Sequence, residues 1–251
     1  MSCLEPEDER PYYFDNPKLS DVTIHFGDHE VKAHRVTLAS KSGYFRKMFE
    51  SEFLEASARD VRLYEDDPDA LYGMLAYLYD CTYHGQRQDG KPIIRPNTLI
   101  PRPRGDFNGQ EGREYLKYIV RVYEVADKYG VARLTTLIES EFQEEMEWLQ
   151  ERYTPFANVG SANELVSIFE QLAELLYHSL GDVAEFLRFT LAKAVHKRTP
   201  ELMDNERYQH MVKNIPDFAL DLLELATQAM KDLTLQLQEK SIAQMSSFGG
   251  W

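Results

Sequence analysis

Hydrophobic and polar residues alternate over two short stretches near the N-terminus. The alternation covers residues 22–26 (Val-Thr-Ile-His-Phe) and 30–33 (Glu-Val-Lys-Ala), with a short turn at Gly27-Asp28-His29 between them. A period of two is typical of half-buried strands, so this region is predicted to form a β-hairpin. Val61 and Leu63 repeat the same alternation and predict a third strand.

The apolar spacing changes to three and four residues from His34 onward, which is typical of helices. Two short helices are predicted over 35–50, with a break at Ser42-Gly43, and polar residues connect them to the third strand. Asp67-Pro68 has a capping acid followed by proline and therefore predicts another helix start. Further helical periods cover residues 115–129, 134–146, 161–176, 183–195, 208–212 and 216–233.

This order of elements predicts an α+β domain followed by a helical domain. We expect a flexible tail at 1–17, the α+β domain at 18–150, the helical domain at 161–238 and a second flexible tail at 239–251. Residues 86–113 contain four prolines, four glycines and no helical period, and they carry six basic and three acidic side chains. They are predicted to be a flexible insertion, with a basic docking peptide or import-like patch as the alternative.

Composition and charge exclude several functional classes. The hydrophobic fraction of 43% and the aromatic fraction of 12% are sufficient for a sizeable core. The only cysteines are Cys3 and Cys81, which favours a reducing intracellular compartment, nucleus or cytoplasm. A net charge of −14 repels phosphate backbones, so no nucleic-acid partner is expected. The sequence has neither a long apolar run nor an apolar leader, so no membrane association is expected.

We expect no catalytic, cofactor-binding or metal-binding residues. The sequence lacks a glycine-rich phosphate loop, a nucleophile elbow and a zinc-protease motif. His25, His29 and His34 are close in sequence, but two surface histidines and one buried histidine explain them better than a metal site. The acidic cluster in residues 65–69 is interpreted as a turn and a helix N-terminus rather than a cation site.

Several short motifs occur in a fixed order between Leu19 and Tyr79. They are Ser20-Asp21-Val22, Ala33-His34-Arg35, the run Leu38-Ala39-Ser40-Lys41-Ser42, Tyr44-Phe45 and Met48-Phe49. In this order they resemble the start of a BTB/POZ domain, and residues 121–142 resemble its last helix pair. The insertion resembles the variable connection of fungal relatives, and the helices after 161 resemble the helical extension of speckle-type adaptors.

The BTB/POZ resemblance implies a small β-sheet wrapped by α-helices and a function in protein–protein interaction. It also implies a homodimer. The apolar positions from Val36 to Phe49 support this expectation, since they exceed what one small sheet can cover. His34 lies at a strand-to-helix junction and is predicted to be a hydrogen-bonded core residue rather than a catalytic group.

Asp21 and Arg35 occupy positions that form a charged pocket at the dimer groove in the transcription-factor branch of the family. The resemblance therefore implies a pair that sets partner register and specificity. An ordinary ion pair that supports the fold is the alternative.

Phe53-Leu54-Glu55 matches the hydrophobic–x–Glu motif that ubiquitin-ligase adaptors of this family carry between the second short helix and the third strand. In that reading Phe53 fills a pocket on a cullin scaffold and Glu55 accepts hydrogen bonds beside it. The alternative is an aromatic side chain that folds back on Phe49.

The sequence therefore predicts a substrate adaptor of a cullin-RING ubiquitin ligase. Its partners would be a second copy of the chain, a cullin scaffold and an unidentified substrate or regulatory protein. The alternative is a homodimeric scaffold or transcription-regulatory protein that does not bind a cullin. No kelch, MATH or zinc-finger pattern occurs in these 251 residues to mark a substrate receptor.

Overall fold

The computed structural model describes residues 13–52, 58–86, 92–96, 110–152 and 159–248. The chain divides into two compact units, Met1–Phe142 and Gln143–Trp251. The first unit combines a small sheet with helices and the second is helical, so the α+β prediction is confirmed.

A three-stranded sheet lies in the first unit. Strands β1 (Val22–Phe26) and β2 (His29–Ala33) form the predicted antiparallel hairpin, in which Gly27 adopts a φ of +50° that favours glycine. Strand β3 (Asp60–Leu63) pairs with β1 in parallel, which gives the strand order β2-β1-β3. Alternate residues of all three strands are buried, as a sheet covered on one face requires.

Two short helices follow the hairpin, as predicted: α1 (Arg35–Lys41) and α2 (Gly43–Glu50). Ser42 separates them, and its Oγ accepts the backbone N–H of Phe45 and so caps α2. Helix α3 (Pro68–Leu78) begins with the predicted acid-and-proline signal. The core of this unit includes Ile24, Val31, Leu38, Phe45, Leu71, Met74, Leu75, Leu78, Leu116 and Ile119.

Part of the predicted insertion is a strand. Strands β4 (Cys81–Gln86) and β5 (Pro92–Pro96) pair antiparallel, so the expectation that 86–113 lacks regular structure is wrong at β5, and it is also wrong at residues 110–113, which are helical. The prolines lie at the two ends of β5 and the β-branched isoleucines between them, and a two-stranded sheet has only edge strands, where proline is tolerated. The flexibility expected of 87–91 and 97–109 concerns residues outside the described part of the chain.

The described structure begins earlier than the predicted domain. Phe14 is 2% exposed, and its ring lies 5.6 Å from the ring of Tyr72 and 5.3 Å from that of Tyr79. This packing extends the domain N-terminal of the predicted boundary at residue 18, because a buried aromatic ring fixes the backbone that carries it. Residues 1–12 of the predicted tail lie outside the described residues.

Two long helices close the first unit and open the second. Helix α4 (Gln110–Lys128) begins five residues before the predicted start at Tyr115. It ends at Lys128, and Gly130, the C-terminal cap that the sequence predicts, follows with a φ of +63°. Helix α5 (Ala132–Arg152) crosses the boundary between the units.

The remaining helices all belong to the second unit. They are α6 (Val159–Glu174), a π-helical turn (Leu175–Leu180), a 3₁₀ turn (Gly181–Ala184), α7 (Glu185–Leu202), α8 (Glu206–Asn214) and α9 (Pro216–Phe248). Helix α6 begins two residues before the predicted cap at Ser161. Helix α9 continues through 239–248, where a flexible tail was expected, because neither proline nor glycine interrupts residues 217–248. Within the described residues, none of the helices has the length and apolar character needed to cross a bilayer.

Candidate interaction site

His34 joins strand β2 to helix α1 and is held by hydrogen bonds on three atoms. Its backbone N–H donates to Tyr79 Oη at 2.7 Å. Its ring nitrogens Nδ1 and Nε2 lie 3.0 Å from Tyr79 Oη and 3.1 Å from the Lys18 carbonyl oxygen. The side chain is buried, so the prediction of a hydrogen-bonded core histidine is confirmed.

Asp21 lies beside the first turn of α1. Its Oδ1 accepts the backbone N–H of Arg35 at 2.8 Å, which satisfies one of the N–H groups that a helix start leaves without an intrahelical partner. The Arg35 guanidinium donates to the carbonyl oxygen of Ala58 and lies 4.8 Å from the centre of the Phe49 ring. The structure thus brings Asp21 and Arg35 together, and their role at a dimer groove stays a prediction.

Two large apolar side chains are exposed next to this corner. Leu19 is 73% exposed and Val36 is 76% exposed. The segment that carries Leu19 is joined to the start of α1, which carries Val36, by the hydrogen bonds of the Lys18 carbonyl with His34 and of Asp21 with the Arg35 N–H. A patch of exposed apolar side chains marks a candidate protein-interaction surface.

The loop with the predicted cullin-binding residues connects α2 to β3. Phe53 and Glu55 themselves lie outside the described residues. Before them, Ser51 Oγ donates to the Met48 carbonyl oxygen at 2.9 Å.

After them, the Arg35 side chain holds the carbonyl of Ala58, and the Thr23 N–H donates to the Arg59 carbonyl at 2.7 Å. Arg35 therefore ties the end of this loop to the corner that carries Asp21. The sequence analysis missed this tie, because no local pattern links Arg35 to a carbonyl group 23 residues away.

The acidic residues before α3 have structural partners. Asp67 accepts the Ala70 N–H at 2.9 Å and caps the helix. Asp66 Oδ1 pairs with Lys128 Nζ at 2.7 Å, and its Oδ2 accepts the Tyr129 hydroxyl at 2.6 Å. The interpretation of the acidic cluster in residues 65–69 as a turn and a helix N-terminus is confirmed. Among the described residues, no group of three His, Cys, Asp or Glu side chains is arranged to hold a metal ion.

Burial and hydrogen bonding change the acidity of three groups in this unit. Burial raises the pKa of Tyr79 to about 12 and that of the Cys81 thiol to about 12, so both stay protonated at neutral pH. A protonated thiol is a poor nucleophile. The hydrogen bond from His25 Nε2 to Asp60 Oδ1, 2.9 Å long, lowers the pKa of that carboxyl.

Comparison with known proteins identifies a domain within the first unit. Residues 12–94 match the BTB/POZ domain. Human Kelch-like protein 38 is 36% identical over 86 residues, which are 34% of this chain and 15% of that protein. Human Kelch-like protein 17 is 39% identical over 61 residues, 24% of this chain and 10% of that protein.

A plant relative covers more of the chain. BTB/POZ and MATH domain-containing protein 5 of Arabidopsis thaliana is 29% identical over 127 residues, 50% of this chain and 28% of that protein. The chain thus spans less than a third of the length of each of these relatives. The predicted likeness to fungal relatives stays a prediction.

The matched residues contain the β1–β2 hairpin, α1, α2, β3 and α3, and so include the corner formed by Asp21, His34 and Arg35. The sequence match and the sheet-and-helix architecture agree. This chain therefore contains a BTB/POZ domain, which is a protein-interaction module.

Proposed function

We propose that this BTB/POZ protein is a substrate adaptor of a cullin-RING ubiquitin ligase. The observation that carries the proposal is the sequence Phe53-Leu54-Glu55 between α2 and β3, together with the hydrogen bonds of the described residues on either side of it. Hydrogen bonds from Arg35 and Thr23 hold one end to the domain. The motif resembles the hydrophobic–x–Glu motif of ubiquitin-ligase adaptors.

Anchored loop ends reduce the conformational entropy that the loop loses when it binds a partner. Phe53 would fill an apolar pocket on the cullin, and Glu55 would accept charge-assisted hydrogen bonds at its edge. A large aromatic side chain in a desolvated pocket is the usual form of an interface hot spot. Its truncation typically costs about 2 kcal/mol or more, equal to about thirtyfold in affinity.

The test is the affinity of the purified chain for a cullin N-terminal domain, measured by calorimetry. Phe53→Ala should weaken binding at least about thirtyfold with little change in melting temperature, and Glu55→Ala should also weaken it. Tyr64→Ala is the matched control, since it removes an aromatic side chain that is 68% exposed and outside the loop.

Two results would contradict the adaptor proposal. One is the absence of measurable binding by the wild-type chain. The other is a Phe53→Ala chain that loses roughly 3–5 kcal/mol of stability, which is expected if the ring packs inward against the domain.

We further propose that the domain forms a homodimer through the surface that carries Leu19 and Val36. Both side chains are largely exposed, and the Asp21–Arg35 contact beside them would fix the register between the two copies. Light scattering of the wild-type chain should give at least twice the 29.2 kDa chain mass, and Val36→Lys should raise the concentration at which that assembly dissociates on dilution. A monomeric wild-type chain at micromolar concentration would contradict this proposal.

The same surface also supports the second candidate function, a homodimeric scaffold or transcription-regulatory protein. Self-association through Leu19 and Val36 requires no cullin. A chain that dimerises but shows no affinity for the cullin domain would favour this candidate over the adaptor.

A further inference from the structure

Helix α9 of the second unit carries an apolar stripe that the described part of that unit leaves exposed. Near the start of the helix, Phe218 and Leu222 are buried. From residue 223 to residue 242 no side chain is buried. The large apolar side chains exposed in this stretch are Leu223, Met230, Leu233, Leu235, Leu237 and Ile242.

Most of the exposed apolar residues lie on one side of the helix. Leu223, Ala226, Met230, Leu233 and Leu237 are separated by three, four, three and four residues. This spacing is that of the seam positions of a coiled coil, and we call these five residues the α9 seam. At 3.6 residues per turn, the centre of the α9 seam lies about 60° around the helix from Leu222, so the α9 seam borders the buried side of the helix and extends beyond the part that packs in the unit.

The positions that flank the α9 seam carry no charge. They are Thr227, Ala229, Thr234, Gln236 and Ser241. The stretch 223–242 contains two basic and three acidic residues, for a net charge of −1, whereas the whole chain carries −14. Two copies of the chain therefore repel each other much less along this stretch than their total charge would imply.

We propose that α9 pairs with α9 of a second copy as an antiparallel coiled coil. The two exposed stripes overlap fully in the register that places Met230 opposite Leu233 of the partner subunit. The same register places Ala226 opposite the partner's Leu237. Each apolar residue of the α9 seam except Leu223 then faces an apolar residue of the other copy.

The charge of Lys240 decides between the two helix directions. Lys240 continues the α9 seam three residues after Leu237. In a parallel pair, Lys240 would face the partner's Lys240, and like charges at a seam position oppose association. In the antiparallel pair, Lys240 lies opposite the partner's Leu223 and next to the partner's Glu224. Its aliphatic stem covers the leucine while its ammonium group reaches the carboxylate.

The stability of α9 also favours a covered helix. A stretch of about 20 residues has little stability as an isolated helix in water, because propensity alone hardly offsets the entropy of nucleation. Large exposed apolar stripes on soluble proteins generally mark interaction surfaces. Pairing two identical stripes covers both at once.

The first test uses chains in which Val36→Lys removes the proposed BTB contact, so that association through α9 is measured by itself. Sedimentation should show that the Val36→Lys chain still self-associates. Adding Leu233→Glu should weaken that association at least about thirtyfold. Leu235→Glu is the matched control, because Leu235 is equally exposed on the same helix but lies off the α9 seam, and it should leave association unchanged.

The second test reads the direction of the helices and is independent of the BTB contact. A Met230→Cys chain is mixed with a Leu233→Cys chain under mild oxidation, with the wild-type chain, which has only Cys3 and Cys81, as the blank. The antiparallel pair predicts that the mixed disulfide forms faster than the Met230→Cys homodimer. Faster formation of the Met230→Cys homodimer, or no cross-link above the blank, would overturn the proposal.

Equal effects of Leu233→Glu and Leu235→Glu on sedimentation would also overturn the proposed α9 pairing. The α9 pairing does not depend on cullin binding. Failure of the adaptor proposal is seen in calorimetry with the cullin domain, whereas failure of the α9 proposal is seen in sedimentation and cross-linking.

Discussion

Removing the hydroxyl group of Tyr79 tests how the start of α1 is held in the BTB/POZ unit. Tyr79 Oη accepts the backbone N–H of His34 at 2.7 Å and lies 3.0 Å from the His34 ring nitrogen Nδ1. Tyr79→Phe keeps the ring that packs against Phe14 but leaves the buried N–H of His34 without this acceptor. The substitution therefore isolates the hydrogen bonds from the packing of the ring.

The expected loss is about 1–3 kcal/mol in the free energy of unfolding, because a buried donor without a partner costs its full desolvation penalty. For a chain of this size, each kcal/mol lowers the melting temperature by about 2–4 °C. Because burial raises the pKa of Tyr79 to about 12, above its ordinary value, the folded state disfavours the ionised phenol. The stability that this group contributes is complete below pH 10 and is lost as the pH rises toward 12.

The assay is urea denaturation of the wild-type and Tyr79→Phe chains at pH 7 and at pH 11. Tyr64→Phe is the control, since Tyr64 is 68% exposed, and it should match the wild type. The difference between Tyr79→Phe and the wild type should be smaller at pH 11 than at pH 7. A Tyr79→Phe chain as stable as the Tyr64→Phe chain at pH 7 would refute the inferred role of the hydroxyl group.

Three further predictions concern the same unit. Gly73→Ala should lower the free energy of unfolding by about 1–3 kcal/mol in an equilibrium assay, because the added methyl group collides with the Tyr118 hydroxyl. Adding Tyr118→Phe to the same chain should restore part of that loss. Asp67→Ala should cost about 0.5–2 kcal/mol by removing the cap of α3, whereas Asp67→Asn, which keeps the cap, should lose less in the same assay. His25→Ala should raise the pKa of the Asp60 carboxyl toward its ordinary value in an NMR titration, since the His25 hydrogen bond lowers it; an unchanged pKa would contradict that cause.

Local chemistry explains why much of the fold could be predicted. The hairpin depends on the alternation of hydrophobic and polar residues. The start of α3 depends on Asp67 and Pro68, which act on the backbone within one helical turn. The burial of His34 followed from its apolar neighbours at a strand-to-helix junction. Each of these signals lies within a few residues of the structure that it specifies.

Strand β5 shows where local signals fail. Its two prolines and the neighbouring glycines indicate a loop, and only the antiparallel partner β4 supplies the hydrogen bonds that make it a strand. The burial of Phe14 is a similar case, since its aromatic partners lie more than 50 residues further along the chain. Pairing and burial at such separations depend on the folded chain and not on the sequence around one residue.

The sequence by itself determined the BTB/POZ domain, the hairpin and the order of the first helices, and it places the Phe53-Leu54-Glu55 motif between the second helix and the third strand. Only the tertiary structure decided that β3 joins β1 in parallel, that Arg35 holds the end of that loop, and that the α9 seam is left exposed. Periodicity and capping depend on bonds between near neighbours, which a sequence displays directly. Whether an apolar face is covered depends on which distant surfaces meet, and that is determined only when the chain has folded.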